Sequence, residues 1–359
     1  MISGRRKLGT VFEINGRRIG QGHPTYIIAE MSANHGQDYE QAVRILEAAK
    51  QVGADAVKLQ TYTRDTLTID CDNEYFRITG TVWDGRTLYE LYGEAYTPWE
   101  WQPRLKEAAD QLGLDLFSTP FDDTAVDFLE AMGVPAYKIA SFENVDLPLL
   151  RKVAHTGKPI IMSTGMATLA ELDEAVQTLR TAGGQELVLL KCTSAYPAPV
   201  SEMHLRTLPH LRDAFGVPVG LSDHTLGIAA AVAAVALGAC LIEKHLTLSR
   251  AVPGPDSAFS LEPAEFRAMV EAVRSAEQAL GSVQYGAGAE EQQSLVFRRS
   301  LFVVQDVKRG ERFTSANVRA IRPGYGLHTR HLEQVLGRCA ARNILRGTPL
   351  NWNLIVGAE

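Results

Sequence analysis

The chain has 359 residues, 45% of them hydrophobic and 22% charged, with a net charge of −6. This composition excludes a disordered or fibrous chain and leaves room for about two domains of roughly 150 residues, or one large barrel with an appendage. The four cysteines, Cys71, Cys192, Cys240 and Cys339, contain no CxxC pair, which argues against a disulfide framework or a zinc ribbon and for a reducing, cytoplasmic setting.

Residues 1–10 are basic and run into Glu13-Ile14-Asn15-Gly16 without an apolar core, so no secretory signal is expected. Residues 10–20 read as a hairpin turning at Asn15-Gly16, placed to cap the floor of a barrel. Eight short apolar runs then recur, at 26–30, 56–60, 114–119, 136–141, 159–164, 186–194, 217–224 and 239–245. Between them lie amphipathic helical patterns at 39–52, 97–112, 124–132 and 169–182, the last following Thr168 as N-cap. The uncharged stretch 225–242 is broken by Gly227 and Gly238 and reads as a buried helix plus strand, not a membrane span. Strand and helix alternating eight times predict an α/β fold, a (β/α)₈ TIM barrel; an open doubly wound sheet fits less well because no GxGxxG follows the first strand.

Residues 64–97 interrupt the pattern after the second barrel strand. They carry Tyr75, Phe76, Trp83, Tyr89, Tyr92 and Tyr96, which points to a lid or a subunit contact. A last barrel helix at 262–280 leads into a Gly/Ala/Gln-rich linker, giving a barrel domain at 1–281, a linker at 282–295 and a small β-rich domain at 296–359 with apolar runs at 301–304, 318–321 and 341–345. From Arg298 onward eleven Arg/Lys face four Asp/Glu, against 25 and 38 in the remainder, so the two parts attract. The arginines are dispersed through an apolar pattern, which argues against nucleic acid as a partner.

All eight barrel strands end in polar residues, and in a closed barrel those ends share one mouth. His224 and His245 finish the last two strands, where neighbouring staves are about 5 Å apart, so the pair reads as half of an open metal site with positions left for water and substrate. Lys58 and Lys138, with the hydroxyls of Thr119, Ser141, Ser163 and Ser222, form an anion-binding inventory, and no carboxylate pair is spaced for glycoside hydrolysis. Glu30 and Glu243 are available to pair with these lysines. Lys191, Lys138 or Lys58 would instead be the Schiff-base lysine of a class I aldolase.

The stretches Glu30-Met31-Ser32-Ala33-Asn34-His35-Gly36, Val57-Lys58-Leu59-Gln60-Thr61, Phe117-Ser118-Thr119-Pro120-Phe121-Asp122, Lys138-Ile139-Ala140-Ser141, Met162-Ser163-Thr164-Gly165-Met166, Cys192-Thr193-Ser194-Ala195-Tyr196-Pro197, Ser222-Asp223-His224 and Pro253-Gly254-Pro255-Asp256 resemble the sialic acid synthase family in order and over nearly the whole chain. The tail, with Arg322-Pro323-Gly324-Tyr325-Gly326, resembles that family's antifreeze-like (SAF) domain. The resemblance implies condensation of phosphoenolpyruvate with an open-chain amino sugar on a divalent metal, manganese first with magnesium or cobalt as alternatives, in a domain-swapped homodimer. It implies His224 and His245 as metal ligands, and Lys58, Gln60, Thr119, Lys138, Ser141, Ser163 and Ser222 around phosphoenolpyruvate, with Glu30 near the reacting carbon. Ser194, Tyr196 and Asp256 would meet the sugar, and Arg322 would reach in from the partner's tail. Met31-Ser32-Ala33 and Ser194 depart from the family's sialic-acid makers, which read Ile-Gly-Ile/Ala and Asn there, while 82–89 and 95–101 look like pseudaminic acid synthases. The expected sugar is therefore a 2,4-diacetamido-trideoxyhexose, with the N-acetylmannosamine-type or legionaminic precursor as the alternative.

Overall fold

A computed structural model describes residues 11–357; the basic segment 1–10, including the first residue of the expected hairpin, lies outside the described residues. The chain divides into two compact units, Met1–Gly281 and Ser282–Glu359.

In the first unit the hairpin β1 (Val11–Ile14) and β2 (Arg17–Gly20) turns at Asn15 and Gly16, both at positive φ as the two-residue loop requires. Phe12, Ile14 and Ile19 bury themselves in the barrel's hydrophobic core. Arg17 and Asn15 each bond an aspartate at the start of a barrel strand, Asp55 and Asp115, both at 2.5 Å. The hairpin thus closes the N-terminal end of the barrel.

Eight parallel strands follow: β3 (Tyr26–Glu30), β4 (Ala56–Thr61), β5 (Asp115–Pro120), β6 (Tyr137–Ile139), β7 (Ile160–Ser163), β8 (Leu187–Cys192), β9 (Val219–Asp223) and β10 (Leu241–His245). They close in chain order, β10 pairing with β3, so the expected barrel is the fold. Local chemistry explains the helices between them. In α1 (Tyr39–Val52), Asp38 caps the start by accepting from the Glu40 and Gln41 amides, and Ala42, Ile45, Leu46, Ala49 and Val52 form the buried stripe. The helix at Leu169–Thr181 starts with a reciprocal capping box between Thr168 and Glu171. Gly220 of β9 is required by space, because a Cβ there would sit 2.5 Å from the Leu241 carbonyl of the next strand.

Two expectations are corrected. The helix expected over 97–112 runs only Gln102–Leu112, preceded by one 3₁₀ turn at Trp99–Trp101, since Pro98 donates no amide and Pro103 starts a helix well. The polar strand ends also do not all face the mouth. Alternation along the pleat sends Thr61, Ser118, Thr164, Lys191, Asp223 and Lys244 to the opposite face from Gln60, Thr119, Ser163, Cys192, Ser222 and Glu243. On that outer face Thr61 bonds Gln102 and Ser118, and Lys244 pairs with Asp223 at 2.8 Å, fully buried.

The segment after β4 is structured. It contains the short helices at Arg64–Leu67 and Leu88–Ala95 and an antiparallel bridge between Arg77 and Thr87. The second unit folds around Leu301, Val303, Phe313, Val318, Val335 and Leu350, with one antiparallel pair, Ser300–Val303 and Val318–Ile321. The apolar run 341–345 forms no strand; Ile344 is held to Val307 by an isolated bridge.

Candidate active site

Register builds the site. Glu30 stands beside Lys58 across β3 and β4, Gln60 beside Thr119 across β4 and β5, and His245 beside Glu30 across β10 and β3. Lys58 Nζ lies 2.7 Å from Glu30 Oε2 and 3.3 Å from Glu243 Oε1, while Lys138 Nζ is 4.0 Å from Glu243 Oε2. All four side chains are almost wholly shielded from water. Two cations and two anions therefore share the mouth, and the two lysines are paired as well as poised for an anion.

The hydroxyls complete this cluster. Lys58 donates to Thr119 Oγ1 at 3.4 Å, Lys138 to Ser163 Oγ at 2.6 Å, and Ser222 Oγ to Glu243 Oε1 at 3.0 Å. Gln60 Nε2 donates to Glu30 Oε1 at 3.4 Å and to Ser32 Oγ at 2.9 Å. Ser141 Oγ accepts the Gly165 amide at 3.1 Å, and a Cβ on Gly165 would come within 2.6 Å of that oxygen and 2.3 Å of Ser194 Oγ. The glycine is there because two serines close over it.

Burial pushes the Glu30 carboxyl up to about 7 against the pull of Lys58. Burial also opposes ionisation of Glu243, but Lys138 and Lys58 hold it below the usual carboxylate range. One acid near neutrality beside one that stays ionised is a division of labour typical of acid–base sites.

Above the ions stand the two histidines, ring centroids 5.4 Å apart and both buried. His224 Nδ1 lies 3.0 Å from the Thr193 carbonyl, which only accepts, so that nitrogen carries a proton; burial opposes charge on the ring, but the Cys192 thiol and that carbonyl raise its pKa above the usual value. His245 Nδ1 is buried with no hydrogen-bond partner among the described residues, and burial together with His224 holds the ring's pKa well below the usual value, so it is neutral at physiological pH. Two imidazoles this close can share a divalent cation once His224 gives up its Nε2 proton, and the described residues add no group of three or more His, Cys, Asp or Glu that could hold one.

Tyr196 stacks on His224 at 4.3 Å. Asp256 accepts from Ser32 Oγ and, at 3.3 Å, from the Ala33 amide, which ties the loop after β10 to the loop after β3. The structure thus brings together every expected site residue of the barrel; Arg322 belongs to the second unit, where it is exposed after the last strand. The Schiff-base alternative at Lys191 loses its geometry, because that side chain faces outward and donates to the Cys192 carbonyl at 2.7 Å and to Thr193 Oγ1 at 3.1 Å.

Glu243, expected as a partner of the lysines, pairs with both and shares the inward face with His245 two residues on. Two residues of the site were not singled out in the sequence. Cys192 lies 3.9 Å from His224 Nδ1; burial alone would raise its thiol, but the imidazole brings it down to about 6. Glu143, in the loop after β6, has a buried Oε2 without a partner among the described residues, and burial pushes its carboxyl up to about 7. A cavity of about 900 Å³ lies elsewhere, at the N-terminal ends of β9 and β10 beside Arg212 and Gly238; the buried charges mark the site, not the volume.

This arrangement defines a barrel enzyme whose mouth gathers two lysines, two carboxylates and two imidazoles. Residues 45–285 match the model of the NeuB family and residues 298–356 that of the SAF domain, and the chain belongs to the NeuB family. It is 46% identical to the pseudaminic acid synthase of Campylobacter jejuni over 90% of this chain and 95% of that one. It is 44% identical to the pseudaminic acid synthase of Helicobacter pylori, covering 91% and 97%. Among solved structures, the N-acetylneuraminic acid synthetase of Leptospira borgpetersenii in complex with citrate superposes with a TM-score of 0.71 at 30% identity, covering 79% of this chain and 95% of that one.

Proposed function

We propose that the chain condenses phosphoenolpyruvate with 2,4-diacetamido-2,4,6-trideoxy-L-altrose and water to give pseudaminic acid and phosphate. The observation that carries this reading is the closed Glu30–Lys58–Glu243–Lys138 cluster beside two buried histidines. Lys58, Lys138, Thr119, Ser141, Ser163 and Ser222 bind the phosphate and carboxylate of phosphoenolpyruvate. The enol carbon forms a bond to the sugar aldehyde carbon as both double bonds open, water adds to the adjacent carbon, the proton that water loses ends on the former aldehyde oxygen, and the C–O bond to phosphate breaks. Glu30, near neutrality in its buried position, takes the proton of that water and favours the positive charge that builds on the carbon it attacks. Tyr196, Ser194 and Asp256 orient the sugar. A divalent cation on His224 and His245, with manganese preferred and magnesium or cobalt able to replace it, would supply Lewis-acid polarisation of the aldehyde.

The same reading takes the enzyme as a homodimer with Arg322 donated to the partner's barrel. Two features support it. The tail from Arg298 carries a net +7 against −13 for the rest of the chain, and the loops at the mouth expose Phe142, Met166, Val200, Leu226 and Val252. Its substrates are small and water-soluble, no helix among the described residues is long and apolar enough to cross a membrane, and the reading places the reaction in the cytoplasm.

The test is phosphate release from phosphoenolpyruvate, with the altrose derivative, its legionaminic-type isomer and N-acetylmannosamine offered side by side after chelation and after adding back each metal. Turnover of the altrose derivative restored by manganese supports the reading. Activity that survives chelation, with borohydride fixing pyruvate to the chain, refutes it.

A further inference from the structure

The segment after β4 places an indole that the proposed reaction does not use. Trp83 is half-buried beyond the Arg77–Thr87 bridge, and its Nε1 donates to the Pro255 carbonyl at 2.9 Å. Its ring lies 5.7 Å from Tyr196, which in turn stacks on His224 at 4.3 Å. Phe259 stands 5.2 Å from Tyr196 and 5.0 Å from His245. One side of the imidazole pair is therefore walled by three rings, while Glu30, Glu243 and Asp256 occupy the polar floor and the facing loops.

We propose that Trp83 is the residue that selects a sugar whose far end is deoxygenated. The inference rests on the synthase reading and deepens it. With the aldehyde carbon at the histidines, the five carbon–carbon bonds of an extended hexose, about 1.52 Å each, carry the sixth carbon roughly 6 Å away. By way of Tyr196, at steps of 4.3 and 5.7 Å, the indole centre is at most about 10 Å from that of His224, so a sixth carbon about 6 Å out comes within one van der Waals contact, about 4 Å, of the ring. The single N–H of Trp83 is already taken by Pro255, which leaves only apolar ring to face the substrate. A methyl group there gains contact and loses nothing. A hydroxymethyl group gives up its hydrogen bonds to water and receives none in return, which in a pocket of this kind discriminates by about tenfold to a hundredfold.

The experiment compares 2,4-diacetamido-2,4,6-trideoxyaltrose with its 6-hydroxy analogue in the full-length metal-loaded enzyme, for wild type, Trp83→Phe and Trp83→Ala. The expected result is a wild-type preference in kcat/KM for the deoxy sugar of about tenfold to a hundredfold. Trp83→Phe keeps most of it; Trp83→Ala brings it near unity through a raised KM for the deoxy sugar, with the KM for phosphoenolpyruvate unchanged. Quenching of tryptophan emission on adding the deoxy sugar alone is expected in wild type and lost in Trp83→Phe, which reads the contact without turnover. A ratio that survives in Trp83→Ala, or a change that falls equally on both sugars and phosphoenolpyruvate, overturns the proposal while leaving the synthase reading intact. Wild-type enzyme that releases no phosphate with any sugar overturns both.

Discussion

Replacing Gly165 with alanine tests the anion cradle with one methyl group. The added Cβ would meet Ser194 Oγ at 2.3 Å, Ser141 Oγ at 2.6 Å and Ser141 Cβ at 3.1 Å. Both hydroxyls must swing away, and Ser141 must also release the Gly165 amide it now accepts. The glycine has no positive φ, so the backbone tolerates alanine, and the clash falls on two short side chains free to turn. The cost in stability is accordingly at the low end of overpacking, about 1 kcal/mol, or a few degrees in Tm. The cost to ligand binding is larger, because a hydrogen bond to an ionised group contributes about 1.5–3 kcal/mol. Loss of one serine contact thus raises the KM for phosphoenolpyruvate by about tenfold to a hundredfold or more. Steady-state kinetics with phosphoenolpyruvate varied, beside thermal unfolding of the same protein, separates the two. A Gly165→Ala enzyme whose KM for phosphoenolpyruvate is unchanged would show that Ser141 does not touch the anion.

Three further outcomes are expected. Because burial sets the Glu30 carboxyl at about 7 and only its ionised form can take a proton from water, kcat is expected to rise with pH up to about 7 and level off above it. The pH profile of kcat reads this, and Glu30→Gln should lose activity and flatten the profile; a wild-type profile without that rise would remove Glu30 as the base. Lys244→Met strands the buried Asp223 and should cost about 3–5 kcal/mol in urea unfolding, whereas adding Asp223→Asn recovers much of it; equal loss in the single and double variants would contradict the pairing. Mixing Arg322→Ala chains with His224→Ala chains should restore part of the activity that each lacks, and dilution should abolish wild-type turnover; absence of complementation places Arg322 outside the partner's site.

Local chemistry was enough to locate the elements. The alternation of short apolar runs with capped amphipathic segments placed all eight barrel strands, and Tyr39–Val52 has the same ends in the pattern and in the structure, because Asp38 and the 3–4 spacing of buried residues act within a few positions of one another. The two histidines were also legible, since each follows an apolar run whose length alone brings it to the mouth. What the chain does not carry locally is the face on which each polar strand residue lies. Thr119 and Ser118 are neighbours of similar chemistry, yet one meets Lys58 in the barrel and the other meets Thr61 beneath the helices. Lys191 and Lys138 look alike in sequence and point to opposite sides. Glu243 becomes a member of the site only when β10 closes against β3 and its carboxylate comes within reach of two lysines from distant strands. Trp83 reaches Tyr196 across more than a hundred residues of chain. Inward or outward facing is fixed by the stagger with which eight strands close on themselves, a property of the whole sheet, and so tertiary structure alone decided which polar groups became a site and which became struts.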